Sequence, residues 1–88
     1  MKHHKLKLDM NFCDDVLSGR KNFEIRYNDR GYQAGDTVSF IPYVGTLRSH
    51  HEVEDKKYQI TYILNGWGLK NNYVVFGIKP YREDGETE

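Results

Sequence analysis

The sequence has little cysteine and proline, no excess charge of either sign and no long apolar run. Its 88 residues include one cysteine, Cys13, and two prolines, and a single cysteine excludes an internal disulfide framework and a cysteine-based zinc cluster. No apolar run approaches the ~18 residues that span a bilayer, and the basic start of the chain leads into alternating residues rather than a signal peptide. We therefore expect a reducing cytoplasm, no membrane partner and a buried structural role for Cys13.

The formal net charge is zero, which argues against a strongly basic surface that binds nucleic acid through phosphates alone. The zero conceals an asymmetry, because residues 80–88 carry four acidic side chains against Arg82 and sum to −3, so that residues 1–79 sum to +3. This division predicts a single domain over residues 1–79 and an acidic, frayed tail over residues 80–88. A nucleic-acid partner is compatible with the charge but is not required by it.

The sequence is rich in aromatic residues and in alternating segments. Aromatic residues make up 14% of the chain and supply the apolar area that so short a domain needs for its core. Alternation predicts five strands, over residues 4–9, 22–27, 37–43, 53–64 and 73–79. Residues 10–18 instead show helical spacing, with Asp9 or Asn11 as alternative caps and Gly19 as the stop. The prediction is a mainly β fold, a small five- to six-stranded barrel with one short flanking helix, since closure removes exposed strand edges.

Alternation also predicts which side chains share a face of a strand. In the second strand, Phe23, Ile25 and Tyr27 lie opposite the charged residues, and we expect these three in the core. In the strand over residues 53–64, one face carries Tyr58, Ile60, Tyr62 and Leu64.

One short segment, residues 19–26, combines charges in an informative order. The helix stop at Gly19 delivers Lys21 to the start of the second strand, where Glu24 and Arg26 project from one face about 6–7 Å apart. The planar guanidinium group of an arginine suits a phosphate or the acceptor edge of a base. A glutamate beside it can accept a hydrogen bond from an exocyclic amino group. The alternative from the pattern alone is an exposed ion pair worth ~0–1 kcal/mol.

The pattern Gly19-x-Lys21-x-x-Glu24-x-Arg26 resembles the G-x-K-x-x-E-x-R signature of the ASCH superfamily, whose domains are related to PUA-like RNA-binding barrels. The resemblance extends over about residues 6–78. It implies a short β-barrel with a helix at its flank and a pocket between them, suited to RNA or a modified nucleoside or nucleotide. By the same resemblance, Lys21, Glu24 and Arg26 are the pocket residues.

One branch of that superfamily is enzymatic, which leaves a second function open. Its members remove the acetyl group from N4-acetylcytosine nucleosides with a lysine, a threonine and a glutamate. Lys21 matches the lysine, but Glu24 stands where the threonine is expected, and residues 64–73 contain no carboxylate. The alternative is therefore a small amidohydrolase in which Glu24 activates water and Lys21 is its electrostatic partner. A third alternative is a protein-interaction module that uses exposed aromatic surface.

Four further residues are candidates for ligand contact. Trp67, between two glycines, could stack on a base or could plug one end of the barrel. Lys70 could reach a phosphate or remain solvated. Arg30 and Tyr32 could form a lip that combines charge with stacking, although Tyr32 is equally compatible with a core position.

The two histidine pairs do not indicate a metal site. His3-His4 and His50-His51 are sequence neighbours, and adjacent side chains of a strand point to opposite faces. We therefore expect no metal and no cofactor. The expected oligomeric state is a monomer or a weak homodimer.

Overall fold

The computed structural model describes residues 1–82, so residues 83–88 of the predicted acidic tail lie outside the described range. In chain order the elements are β1 His3–Asp9, α1 Met10–Ser18, β2 Phe23–Tyr27, β3 Thr37–Val44, β4 Leu47–Arg48, a 3₁₀ turn Glu52–Asp55, β5 Tyr58–Asn65 and β6 Tyr73–Pro80. The mainly β prediction, with one short helix after the first strand, is confirmed. Strand β6 ends at Pro80, the residue at which the tail was predicted to begin.

All the strands of residues 1–82 belong to one sheet, in the order β1-β3-β5-β6-β2, with the short β4 paired to β3. β1 pairs with β3 in parallel, and the remaining pairs are antiparallel. β1 and β2 are therefore the terminal strands, and no backbone ladder joins them within the described part of the chain. The side chain of Arg26 in β2 and that of Arg30, three residues after β2, donate hydrogen bonds to β1 instead, and we call this junction between β1 and β2 the seam.

The core lies on the inner side of the sheet and under α1. Alternation in β1 places Leu6 and Leu8 inside, as predicted. Each large apolar side chain that is buried in this way contributes about 1.5–3 kcal/mol. The largest fully buried side chains are those of Phe40, Phe76, Leu6, Ile60, Val16, Val38, Val53, Pro42 and Cys13.

Helix α1 begins and ends where the sequence predicts. The side chain of Asp9, rather than that of Asn11, caps it by accepting a hydrogen bond from the Asn11 backbone N at 2.8 Å, and it ends at Gly19 with φ 86°. Cys13 and Val16 face the core. Burial raises the pKa of the Cys13 thiol, which is typical of an inert structural cysteine. No helix of residues 1–82 is long and apolar enough to cross a membrane.

The predicted orientation of β2 is wrong. Phe23, Ile25 and Tyr27 point outward and are 42%, 55% and 51% exposed, whereas Glu24 is 3% exposed. Alternation separates the two faces of a strand but does not say which face turns inward. Here the inward face is the charged one, because Glu24 finds cationic partners there.

The prediction of which side chains of β5 share one face is correct for only half of the strand. Ile60 is buried as expected, but the pairing with β6 shifts by one residue between Ile60 and Tyr62. Beyond this bulge Tyr62 and Leu64 are 68% and 36% exposed, and Ile63 packs against the core instead. A single extra residue in a strand exchanges its two faces.

Candidate ligand-binding site

Three predicted residues, Lys21, Glu24 and Arg26, meet at the start of β2. The left-handed backbone of Gly19 ends α1 and turns the chain so that Lys21 lies just ahead of the strand. Lys21 Nζ donates to Glu24 Oε2 at 2.5 Å, and Arg26 donates to Glu24 Oε1 from Nε at 3.1 Å and from Nη2 at 2.9 Å. The Glu24 carboxylate is thus held between two cations.

The cluster is buried enough for its charges to interact strongly. The side chains of Lys21, Glu24 and Arg26 are 18%, 4% and 22% exposed. Removing Glu24 would leave both cations without their partner, and loss of the partner from a buried ion pair costs about 3–5 kcal/mol. The cluster keeps one net positive charge, because two cations face one carboxylate. Lys21 Nζ also lies 5.2 and 5.0 Å from the ring centres of Phe12 and Phe23, where the ring faces attract it.

Arginine side chains close the seam. Arg26 Nη2 donates to the Lys7 carbonyl at 2.7 Å, and Arg30 Nη1 donates to the Lys5 carbonyl at 3.0 Å. Lys2 Nζ donates to the Arg30 carbonyl at 3.3 Å. The two arginine bonds satisfy acceptors of β1, a terminal strand whose outer edge would otherwise present unpaired backbone groups. The seam is therefore lined by positive side chains.

Tyr32 lies in the core beneath the seam. It is 5% exposed, and its ring packs between His4 and Phe76 with ring centres 4.8 and 4.9 Å apart. Burial is the main cause that raises the pKa of its hydroxyl group, and the positive charge of Arg26 and Arg30 opposes this shift. Its ring therefore supports the site from within and is not placed at a surface lip.

The two remaining predicted residues lie in the loop between β5 and β6. Trp67 is 89% exposed with φ 53°, so its side chain does not plug the interior of the fold. Lys70 lines a cavity of about 260 Å³ together with Asn28 and Asn72. The Asn28 backbone N donates to the Asn72 carbonyl at 2.8 Å, so this loop meets the end of β2 that is remote from Lys21.

Predicted site residues therefore form two groups. Lys21, Glu24 and Arg26 meet directly, and Arg30 joins them along the seam, whereas Trp67 and Lys70 lie at the far end of β2. A second cavity, of about 630 Å³, lies between the end of α1 and the end of β6. None of the three clustered residues lines either of these two cavities.

The geometry gives Glu24 little capacity to act as a general base. Its two oxygens accept three hydrogen bonds from Lys21 and Arg26, which occupies three of the about four acceptor positions of a carboxylate. Glu24 is also nearly inaccessible to solvent. It acts as an anchor for two cations, and the arrangement does not favour the amidohydrolase alternative.

A buried pair, His4 and Asp36, was missed by sequence reasoning. His4 Nε2 donates to Asp36 Oδ2 at 2.9 Å, and both residues are almost completely buried. The signal was present, because His4 alternates with Leu6 and Leu8 on the inward face of β1. The His4 ring of this pair packs edge-to-face against the ring of Tyr32.

Comparison with known proteins assigns most of the chain to a recognised sequence family. A family model described as a domain of unknown function (DUF3850) matches residues 3–78. A curated protein described as "Uncharacterized 12.9 kDa protein in GpA 3'region", from Escherichia phage P2, is 35% identical over 60 residues. The match covers 68% of this chain and 55% of the phage protein, so the chain spans about half the length of that relative. Neither description names a ligand or a reaction.

Proposed function

The chain belongs to the DUF3850 family, described as a domain of unknown function, and we propose that it binds RNA or a nucleotide at the seam. The binding residues are Lys21, Glu24, Arg26 and Arg30, which we call the seam site. In this proposal Glu24 positions the cations and the cations contact the ligand. A reducing cytoplasm, expected from the single buried cysteine, is the compartment in which we propose that it acts.

The observation that carries the proposal is the ion-pair cluster around Glu24. The carboxylate fixes Lys21 and Arg26 in place before any ligand arrives, so less side-chain entropy is lost on binding. Arg26 uses Nε and Nη2 for Glu24 and Lys7, and Nη1 has no hydrogen-bond partner within residues 1–82. The two N–H groups of Arg26 Nη1 suit a phosphate oxygen or the acceptor edge of a base.

Positive charge continues along the seam beyond this cluster. Lys5 and Lys7 are exposed on β1, and the side chain of Arg30 is 46% exposed. A local stripe of this kind attracts phosphates even on a chain with no net charge, because the charges that matter are those within about 10 Å of the ligand. This supports a phosphate-bearing ligand over a neutral one.

The loop between β5 and β6 extends the proposed surface. Trp67 presents nearly its whole indole to solvent, and base stacking on an exposed aromatic ring is worth about 1–3 kcal/mol. Lys70 lies in the same loop, and the Asn28–Asn72 contact joins that loop to the segment that leads to Arg30. A strand of RNA can therefore engage both groups of residues, whereas a mononucleotide would occupy the seam site alone. The resemblance to ASCH domains supports the same class of ligand.

Fluorescence anisotropy with a labelled single-stranded RNA tests the proposal. Arg30→Ala should weaken binding several-fold and should lower the slope of log affinity against log salt by about 0.7, because one phosphate contact is lost. Arg48→Ala is the matched control, since the Arg48 side chain is also 46% exposed and also pairs with a carboxylate, but lies on β4. Competition by an unlabelled nucleoside monophosphate distinguishes nucleotide binding from binding of a strand.

Equal affinity of the wild type and Arg30→Ala would contradict the proposal. An equal loss in Arg30→Ala and Arg48→Ala would also contradict it, because binding would then follow total charge rather than the seam site.

A further inference from the structure

We propose that the chain forms a symmetric homodimer through the outer face of β2, β6 and β5. This surface, the outer face, adjoins the seam site at Phe23, whose ring centre lies 5.0 Å from Lys21 Nζ, and the proposal does not depend on RNA binding. Its outward-facing side chains are those of Phe23, Ile25, Tyr27, Tyr62, Leu64, Tyr73 and Val75.

Strand β2 is oriented with its apolar side chains outward. It buries Glu24 and exposes Phe23 and Ile25, although the opposite orientation would remove apolar area from water. The ion pairs of Glu24 with Lys21 and Arg26 offset the burial of its carboxylate, but they do not offset the exposure of Phe23 and Ile25 on the other side of the strand. The orientation is readily explained if a second surface covers the apolar side.

The exposed apolar side chains are continuous across three strands. In the sheet register, Ile25 lies opposite Val75, and Val75 lies opposite Leu64. One row further along, Tyr27 lies opposite Tyr73, with ring centres 5.5 Å apart in an edge-to-face arrangement. The apolar side chains therefore form one patch, not scattered single exposures, and patches of this kind mark interaction sites.

The apolar area of the outer face is close to that of a protein–protein interface. Phe23, Tyr27 and Tyr62 are 42%, 51% and 68% exposed, which leaves about 300 Å² of aromatic surface if a whole side chain presents about 200 Å². Ile25 and Leu64, at 55% and 36% exposed, enlarge it further. A standard interface buries about 800 Å² per partner, of which about 450–500 Å² is apolar. The outer face supplies most of that apolar area.

Charge decides which partner fits. None of the seven side chains of the outer face is charged. Lys21 Nζ lies 5.0 Å from the ring centre of Phe23 at the margin of the patch, but within residues 1–82 no cation lies over the other aromatic rings of the face, so most of the patch offers no cation to the phosphates of a nucleic acid. In a symmetric dimer the same patch meets itself, and charged groups near the axis would repel their own copies. An uncharged patch on a chain of zero net charge avoids this repulsion, which favours a second copy of the same chain.

Sedimentation equilibrium of the full chain over about 1–200 µM tests the dimer, because mass action populates it at high concentration. The mass should rise from 10.4 kDa towards twice that value. Ile25→Glu should weaken the dimer at least about tenfold, as expected at the centre of an interface. Val44→Glu is the matched control, because Val44 is also β-branched and 55% exposed but lies at the end of β3, and it should dimerise as the wild type does.

Circular dichroism confirms that each variant is folded, and Tyr62→Glu provides a second substitution on the same face. A wild-type chain that stays at 10.4 kDa throughout would overturn the proposal, and so would a dimer that neither Ile25→Glu nor Tyr62→Glu weakens. A monomeric wild type whose RNA binding is lost in Ile25→Glu would show that the outer face is a stacking platform for nucleic acid, which also overturns the dimer.

Discussion

At the scale of single residues, Asp36 joins the N-terminal segment to the turn before β3. Its carboxylate accepts hydrogen bonds from His4 Nε2 at 2.9 Å, from the Lys2 backbone N at 3.1 Å and from the Gln33 backbone N at 3.0 Å. Burial alone would raise the pKa of Asp36, but these hydrogen bonds outweigh burial and lower that pKa below its ordinary value. The folded state therefore favours the ionised carboxylate.

This shift predicts a loss of stability in acid. Because the pKa of Asp36 is lower in the folded chain than its unfolded value of about 3.9, the contribution is present above about pH 4–5 and is lost as the pH falls through the folded value. Urea unfolding between about pH 3 and pH 6 should show a falling free energy of unfolding towards acid. Asp36→Asn should be less stable at the upper end and should show a weaker dependence on pH.

Asp29→Asn is the control for this measurement. The Asp29 side chain is 62% exposed and lies 3.9 Å from Arg30, so its removal should leave the slope of the wild type unchanged. The account of Asp36 fails if Asp36→Asn retains the full acid dependence.

At the scale of elements, the structure of helix α1 predicts that substitutions of its two candidate caps, Asp9 and Asn11, change the free energy of unfolding by different amounts. Asp9→Ala removes the acceptor for the Asn11 backbone N and should cost about 0.5–2 kcal/mol in the free energy of unfolding. Asn11→Ala, at an exposed position of the first turn, should have little effect, because only the Asn11 backbone takes part in the cap. Chemical denaturation of both variants measures the difference, and equal losses would show that the capping assignment is wrong.

Some features of these elements could be predicted from the local sequence, and others could not. The cap at Asp9 and the stop at Gly19 are local, and the bounds of α1 could be predicted from them. Glu24 and Arg26 could likewise be assigned to one face of β2 because they are two residues apart. The inward turn of that face could not be predicted, because the backbone that accepts from Arg26 is Lys7 of β1, a partner distant in sequence. The bulge that exposes Tyr62 depends in the same way on pairing with β6.

At the scale of the whole molecule, strand β2 separates two surfaces of different chemistry. Its inward-facing Glu24 and Arg26 form the seam site together with Lys21 before the strand and Arg30 after it, and Arg26 and Arg30 bridge to β1. Its outer side contributes Phe23, Ile25 and Tyr27 to the outer face. The two surfaces meet at Phe23, whose ring centre lies 5.0 Å from Lys21 Nζ. Self-association is therefore tested at Ile25 and Tyr62 and ligand binding at Arg30, which are not part of that contact.

The most direct test of ligand binding is an NMR titration of ¹⁵N-labelled full chain with a short single-stranded RNA and, separately, with a nucleoside monophosphate. Both ligands should shift the backbone resonances of Lys21, Glu24, Arg26 and Arg30, and the RNA should also shift those of the loop that carries Trp67. Shifts confined to the outer face, or to residues of β4 and the 3₁₀ turn, would contradict binding at the seam site, and so would an unchanged spectrum with both ligands.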